Sequence, residues 1–295
     1  MKLILNWKGW RRKKKRKKLN RSWYGTLFLF LIIALFGSFM ALPLIYTINN
    51  AFKPLDEIFL FPPRFFVRNP TINNFIDLAH LMTNSWVPFS RYVFNTFFIT
   101  TVGTIGHILF AAAAAYPLAK HKFPGAKILF TVVILSLMFS PQVTAIPNYM
   151  TMSILGWVDS YWAVIVPSFA FPLGLYLMKQ FMEQIPDSLL EAARIDGASE
   201  YRIFWKIVMP IVKPAWLTLM ILLFQQLWGT DGGHFIYSEE LKTMHYALGQ
   251  IIQGGIARAG AAAAVALMLM SVPIIVFLFS QASIIQTMSS SGMKD

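Results

Sequence analysis

The chain contains no cysteine and little charge. Without cysteine there can be no disulfides, thiolate metal sites or cysteine nucleophiles. Charged residues are 13% of 295, against roughly 25% in an average soluble domain. No G-x-x-x-x-G-K-[S/T] stretch occurs, so the sequence offers no phosphate-cradling loop. Apolar residues are abundant instead, at 56%. A soluble core could not absorb that much apolar sequence. A membrane-spanning helix needs about 20 mostly apolar residues.

Six segments approach or exceed that length: 24–46, 92–118, 128–150, 160–182, 214–231 and 259–286. The runs are continuous rather than alternating, which excludes a β-barrel. Lipid cannot satisfy an open backbone, so the spans are helices and the fold is all-α. The third run could extend to 158. The fifth is the weakest, with about 17 uncharged residues between Lys213 and Asp231. Pro43, Pro117, Pro141, Pro147, Pro167, Pro172 and Pro273 lie in or near the runs and predict kinks or broken helices. The Ala-rich runs 111–115 and 259–264 read as close packing faces. His107 lies inside the second run. It is either a functional group by default or a neutral histidine bonded to a neighbouring helix.

Lys and Arg divide unevenly between the two sides. Lys53, Arg64, Arg68, Arg91, Lys242 and Arg258 fall on one side, and the other 20 of 26 on the opposite side. Eleven of these precede the first run. By the positive-inside rule the basic side is cytoplasmic, with both termini on it. The expected organisation is a basic segment 1–23, a six-span domain 24–286 and a tail 287–295. Net charge is +13, but the excess sits beside a span, where it fixes topology rather than binding nucleic acid. The first run is too long for a cleavable signal peptide and lacks a small-x-small site.

The region 183–213 does not suit lipid. In "PDSLLEAARIDGASE", Ser188 and Glu191 have capping-box spacing, which predicts a helix through Ile195. Asp196-Gly197 should end it, since glycine suits the left-handed residue that closes helices. Ser199 can then cap a second helix running to Val208 or Met209, before Pro210. An apolar helix face on a loop of this kind must bury itself against the spans, lipid or a partner.

"EAARIDGA", followed by Ile207 and Pro210, resembles the EAA loop of permease subunits in binding-protein-dependent ABC importers. Met209 stands where that pattern usually has Leu. "AYPLAKHKFPGAK" and "IPNYMTMSILGWVDSYWAVIVP" are similar to connections in the carbohydrate branch, and the smaller maltose-type permease is the nearest type. The resemblance implies a type I importer permease fold in the bacterial cytoplasmic membrane. The implied partners are a second homologous permease, two ATPase subunits and an extracytoplasmic sugar-binding protein. ATP and Mg would be used by the ATPases, with no cofactor on this chain and no catalysis by it. Glu191, Ala192, Ala193, Asp196, Gly197 and Ala198 would form the coupling site held by an ATPase. The external loop 232–258 would reach toward the binding protein or serve only as a connector.

For the cargo path the candidates are Asn148, Tyr149, Gln225, Gln226 and Trp228: amides for hydroxyls, rings for sugar faces. Interhelical hydrogen bonds and an interfacial aromatic belt are the competing roles. "FQQLWGTDGG" departs from the W-N pattern common in sugar permeases. The spans carry almost no charge, which points to a neutral or mildly acidic oligosaccharide such as a plant-wall fragment. The alternatives are a permease for a non-sugar solute, an intramembrane enzyme built on His107 or Asp231, and a scaffold that only docks a soluble protein. No catalytic dyad spacing supports the enzyme.

Overall fold

A computed structural model describes residues 22–83 and 86–291, with side chains described as far as residue 281. Most of the expected segment 1–23 and the end of the tail, 292–295, lie outside the described residues. The chain divides into two compact units, residues 1–46 and 47–295. Regular structure is helical throughout the described residues.

In the first unit, helix α1 (Trp23–Ala51) begins and runs on across the division. Over residues 23–46 its side chains are mostly apolar on every face and mostly exposed, Phe39 to 71%. A helix with no polar face suits lipid or other helices rather than water.

The second unit opens with α2 (Leu55–Ile58) and α3 (Asn73–Thr83). Buried polar side chains stitch this stretch together. Asn74 Nδ2 donates to the carbonyls of Ala51 and Lys53, at 2.9 and 2.7 Å. Glu57 accepts the Arg68 amide. The described residues from 47 to 83 are therefore fastened to one another by buried polar groups.

Then come α4 (Phe89–Lys120), α5 (Ala126–Ser136), α6 (Pro141–Ile154), α7 (Trp162–Phe169) and α8 (Pro172–Glu183). The turn region has α9 (Asp187–Ile195), α10 (Glu200–Ile203), a π-wound stretch Phe204–Val208 and α11 (Met209–Ile211). α12 (Lys213–Trp228), α13 (Met244–Ile252) and α14 (Ala259–Ser291) complete the chain. Four helical stretches are long and apolar enough to cross a membrane alone: α1, α4, the α7–α8 stretch and α14. Two bent pairs pass the same test together, which brings the number of candidate spans among the described residues to as many as six. α5 and α6 meet at 112°, and the helix ending at Ile211 meets α12 at 73°.

The prolines divide into two kinds. Pro141, Pro172, Pro210 and Pro214 stand in the first turn of a helix, where the missing N–H costs nothing. Pro43, Pro117, Pro147, Pro167 and Pro273 lie inside helices that continue past them. The expected breaks are therefore confined to Pro141 and Pro172 among the seven.

α4 is the central element, packed against α7, α8 and α12. At one end Ala111, Ala112 and Ala115 meet Met178 and Met182 of α8, with Leu190, Ile203 and Leu219. Their small side chains let α8 approach closely. At the other end Tyr92 joins Leu78, Trp228, Leu248, Ala264 and Val265. His107 serves the joint between α7 and α8. Its Nδ1–H donates to the Phe169 carbonyl at 3.0 Å, the last residue of α7. The ring lies against Gly174, where any Cβ would collide with the imidazole. Among the described residues no His/Asp/Glu cluster could hold a metal.

Candidate functional site: a polar-anchored corner and an anchored loop

The corner between α9 and α10 lies on the basic side. α9 starts at Asp187, and Pro186 stands at its N-cap without a side-chain hydrogen bond. The expected Ser188–Glu191 capping box is not formed, because the helix begins two residues too early for Ser188 to cap it. Asp187 instead pairs with Lys120 at 2.8 Å, and this cation holds the carboxyl below the usual range. Gly197 closes α9 at φ +81, with open space where a Cβ would be. The strain of any replacement there would come from the backbone alone. Ser199 then caps α10, accepting from the Arg202 amide.

The two faces of α9 differ. Leu190 is 2% exposed, and it and Ala193 and Ala198 pack on the core cluster. Glu191, Ala192, Asp196 and Gly197 are exposed, as is Ile195 at 86%. Tyr201 beyond the corner is 75% exposed. The outward surface thus sets the apolar Ala192, Ile195 and Tyr201 beside the carboxylates of Glu191 and Asp196, displayed around a fixed turn. Of the six residues in the sequence-derived coupling set, Ala193 and Ala198 face this chain's own core and the other four face outward.

Glu200 is the polar centre of the corner. It accepts Arg194 Nε and the Tyr116 hydroxyl, each at 2.8 Å, and His121 Nε2 stands 3.9 Å away. The guanidinium and then the phenol depress its pKa. Neither Lys120 nor Glu200 was singled out in the sequence, since both look like ordinary surface charges there.

On the opposite side, the stretch 231–243 is held by a set of polar contacts. Asn95 Nδ2 donates to the carbonyls of Glu240 and Lys242, both at 2.8 Å, and Tyr161 donates to Asn95 Oδ1 at 2.7 Å. Tyr92 donates to Glu239 at 2.6 Å, and the Met244 amide to Thr96 Oγ1 at 2.7 Å. Asp159, in the left-handed region at φ 60, accepts the amides of Tyr237 and Ser238 and the Ser238 hydroxyl. Those hydrogen bonds, the Ser238 hydroxyl first, hold its carboxyl below the usual range. This part of the loop is therefore a docked element and not a loose connector.

The candidate path residues separate. Asn148, Gln225 and Gln226 are exposed on this chain. Tyr149 is half-buried, shares a 3.0 Å hydroxyl contact with Tyr237 and stacks toward Phe235. Trp228 does not fit a path. It is 3% exposed, donates from Nε1 to the Leu269 carbonyl at 3.2 Å and stacks on Phe224. It is packed between α4, α12 and α14 instead.

Fold and corner together define a class: an all-helical membrane permease of the type I importer fold, presenting a helix–corner–helix on its basic side. The chain belongs to the family of binding-protein-dependent transport system inner membrane components, which matches residues 107–289. It is 35% identical over 197 residues to Protein LplC of Bacillus subtilis (strain 168), covering 65% of this chain and 63% of that protein. The match therefore spans less than two thirds of that relative. It is 30% identical over 207 residues to the polygalacturonan/rhamnogalacturonan transport system permease protein YtcP of the same strain, covering 70% and 68%. A bacterial ABC transporter involved in the import of the acidic polysaccharide alginate has a similar fold. That likeness has a TM-score of 0.74 at 23% identity, over 89% of this chain and 98% of that chain.

Proposed function

We propose that this chain is one permease subunit of an ATP-driven importer, forming half of the pathway for a sugar or oligosaccharide. It pairs with a second homologous permease. Two ATPase subunits bind on the basic, cytoplasmic side, and a sugar-binding protein docks outside. The protein sits in a bacterial cytoplasmic membrane with both termini inside. ATP and Mg belong to the ATPase subunits, and this chain is not itself an enzyme. The observation that carries the reading is the exposed corner of α9–α10 in a member of this family. Glu191, Ala192, Asp196 and Gly197 display it, while Ala193 and Ala198 seat it on the spans.

Names among the relatives support an acidic or neutral plant-type oligosaccharide as cargo. The exposed amides of Asn148, Gln225 and Gln226, with Tyr149, are the side chains to meet its hydroxyls. Mass spectrometry of sugars retained by the cognate binding protein would identify it.

The test is to disturb the outward face only. Ala192→Trp places a ring on the exposed surface, and Gly197→Val forces a β-branched residue to positive φ. ATPase co-purification and stimulated hydrolysis should fall about tenfold, since 1.4 kcal/mol of lost contact gives that factor. Insertion should persist, because the insertion signal lies in the spans. Full retention of both activities by both variants would refute the coupling role.

A further inference from the structure

We propose that a cavity on the outer side, at the start of α4, is a subsite for an uncharged sugar ring. This rests on the reading of the chain as a subunit of a saccharide importer.

The cavity measures about 470 Å³, and its lining includes Trp86, Pro88, Ser90, Arg91, Phe94 and Glu240. Small-molecule pockets run from about 300 to 1,000 Å³. Trp86 is 96% exposed and Phe94 53%. A belt tryptophan needs only an interface. This indole shares its cavity with a guanidinium, a carboxylate and a hydroxyl. A pyranose calls for that combination. Its C–H face packs on an aromatic ring, which carries a large apolar surface. Its hydroxyls each donate and accept, whereas a guanidinium only donates and a carboxylate only accepts.

The chain holds these groups in place before any ligand arrives. Arg91 Nε donates to the Glu240 carbonyl at 3.2 Å, and its guanidinium stands 5.8 Å from the centre of the Phe94 ring, one turn along α4. The same carbonyl accepts Asn95 Nδ2 at 2.8 Å. Two donors thus pin the backbone of Glu240 at the rim, while its side chain stays exposed. The salt bridges among the described residues include neither Arg91 nor Glu240, so neither head group is spent on the other. Groups fixed in advance lose less freedom when a ligand binds.

Charge sets the class of ring. Arg91 and Glu240 cancel, and no other charged side chain among the described residues lines the cavity. A uronate would gain an attraction to one and meet a repulsion from the other. A neutral ring meets only hydrogen-bonding partners.

The experiment uses the assembled importer in nanodiscs without its binding protein. Galactobiose, cellobiose, maltose and digalacturonate are titrated in turn, and saturation-transfer-difference NMR gives each apparent Kd. At least one neutral disaccharide should bind more tightly than digalacturonate. Trp86→Ala and Arg91→Gln should each weaken that sugar about tenfold, the loss of one aromatic contact or one hydrogen bond to a charged group. Asn95 still holds the Glu240 carbonyl in Arg91→Gln, so the outer stretch keeps its attachment. Glu240→Gln leaves the cavity net positive and should improve digalacturonate binding, an effect that a merely structural role would not produce. Binding by none of the neutral disaccharides would overturn the subsite, as would affinities unchanged in both Trp86→Ala and Arg91→Gln. Variants that weaken docking of the sugar-free binding protein but not sugar binding would also overturn it, and would make this face a protein contact. If instead no sugar-loaded binding protein stimulates hydrolysis by the native importer, the saccharide reading itself falls.

Discussion

The indole of Trp228 is occupied by the protein's own groups: the Leu269 carbonyl on its N–H, Phe224 stacked on it and Phe97 T-shaped to it. Trp228→Ala should therefore cost about 3–5 kcal/mol, as for other buried aromatics cut to alanine. Thermal unfolding of the detergent-purified protein would show the loss. Cargo selectivity should stay unchanged in whatever fraction remains folded. His107 shows the same principle for a polar side chain. Its hydrogen bond to Phe169 ties α4 to the end of α7, and His107→Leu should lower stability by about 1–3 kcal/mol by leaving that carbonyl unpaired. Ala193 teaches the converse. Bulk there strikes the chain's own core, so Ala193→Trp would test folding, and Ala192 is the position that tests a partner.

Among the elements, the outer stretch 231–243 depends on Asp159. Its carboxyl pKa is depressed, so the bonds to Tyr237 and Ser238 are fully in force above the ordinary carboxylate value of about 3.9 and lost as pH falls through the lower folded value. Hydrogen exchange should find the Tyr237 and Ser238 amides protected at neutral pH. Protection should fall in strong acid, and Asp159→Asn should lower it at every pH. Equal protection in that variant would show that the hydrogen bonds from α4 hold the loop unaided. The α9–α10 corner differs in kind: its shape comes from Gly197 and the Ser199 cap, and its attachment from Lys120 and Glu200.

For the whole molecule, the six spans and the charge count set opposite faces for the two sites. His234 and Tyr201 are both exposed. With no native cysteine to interfere, an impermeant thiol reagent applied outside should label His234→Cys and miss Tyr201→Cys. The reverse pattern would invert the topology.

The sequence by itself determined the helical nature of the fold, its apolar character and the position of the corner. Those properties follow from continuous apolar runs, from Lys and Arg placement, and from one glycine whose backbone no other residue easily adopts. It also predicted that proline would break some helices. Only the tertiary structure decided which ones, because a proline's effect depends on whether it opens a helix, as at Pro141 and Pro172, or lies within one. The sequence could not show which side of α9 faces inward, since Ala192 and Ala193 are chemically identical and differ by about 100° around the helix. Nor could it show that Lys120 and Glu200 hold the corner or that Trp228 is core, for Asp187, Tyr116 and Leu269, which bond them, lie 67, 84 and 41 residues away in the chain and meet them only through tertiary packing.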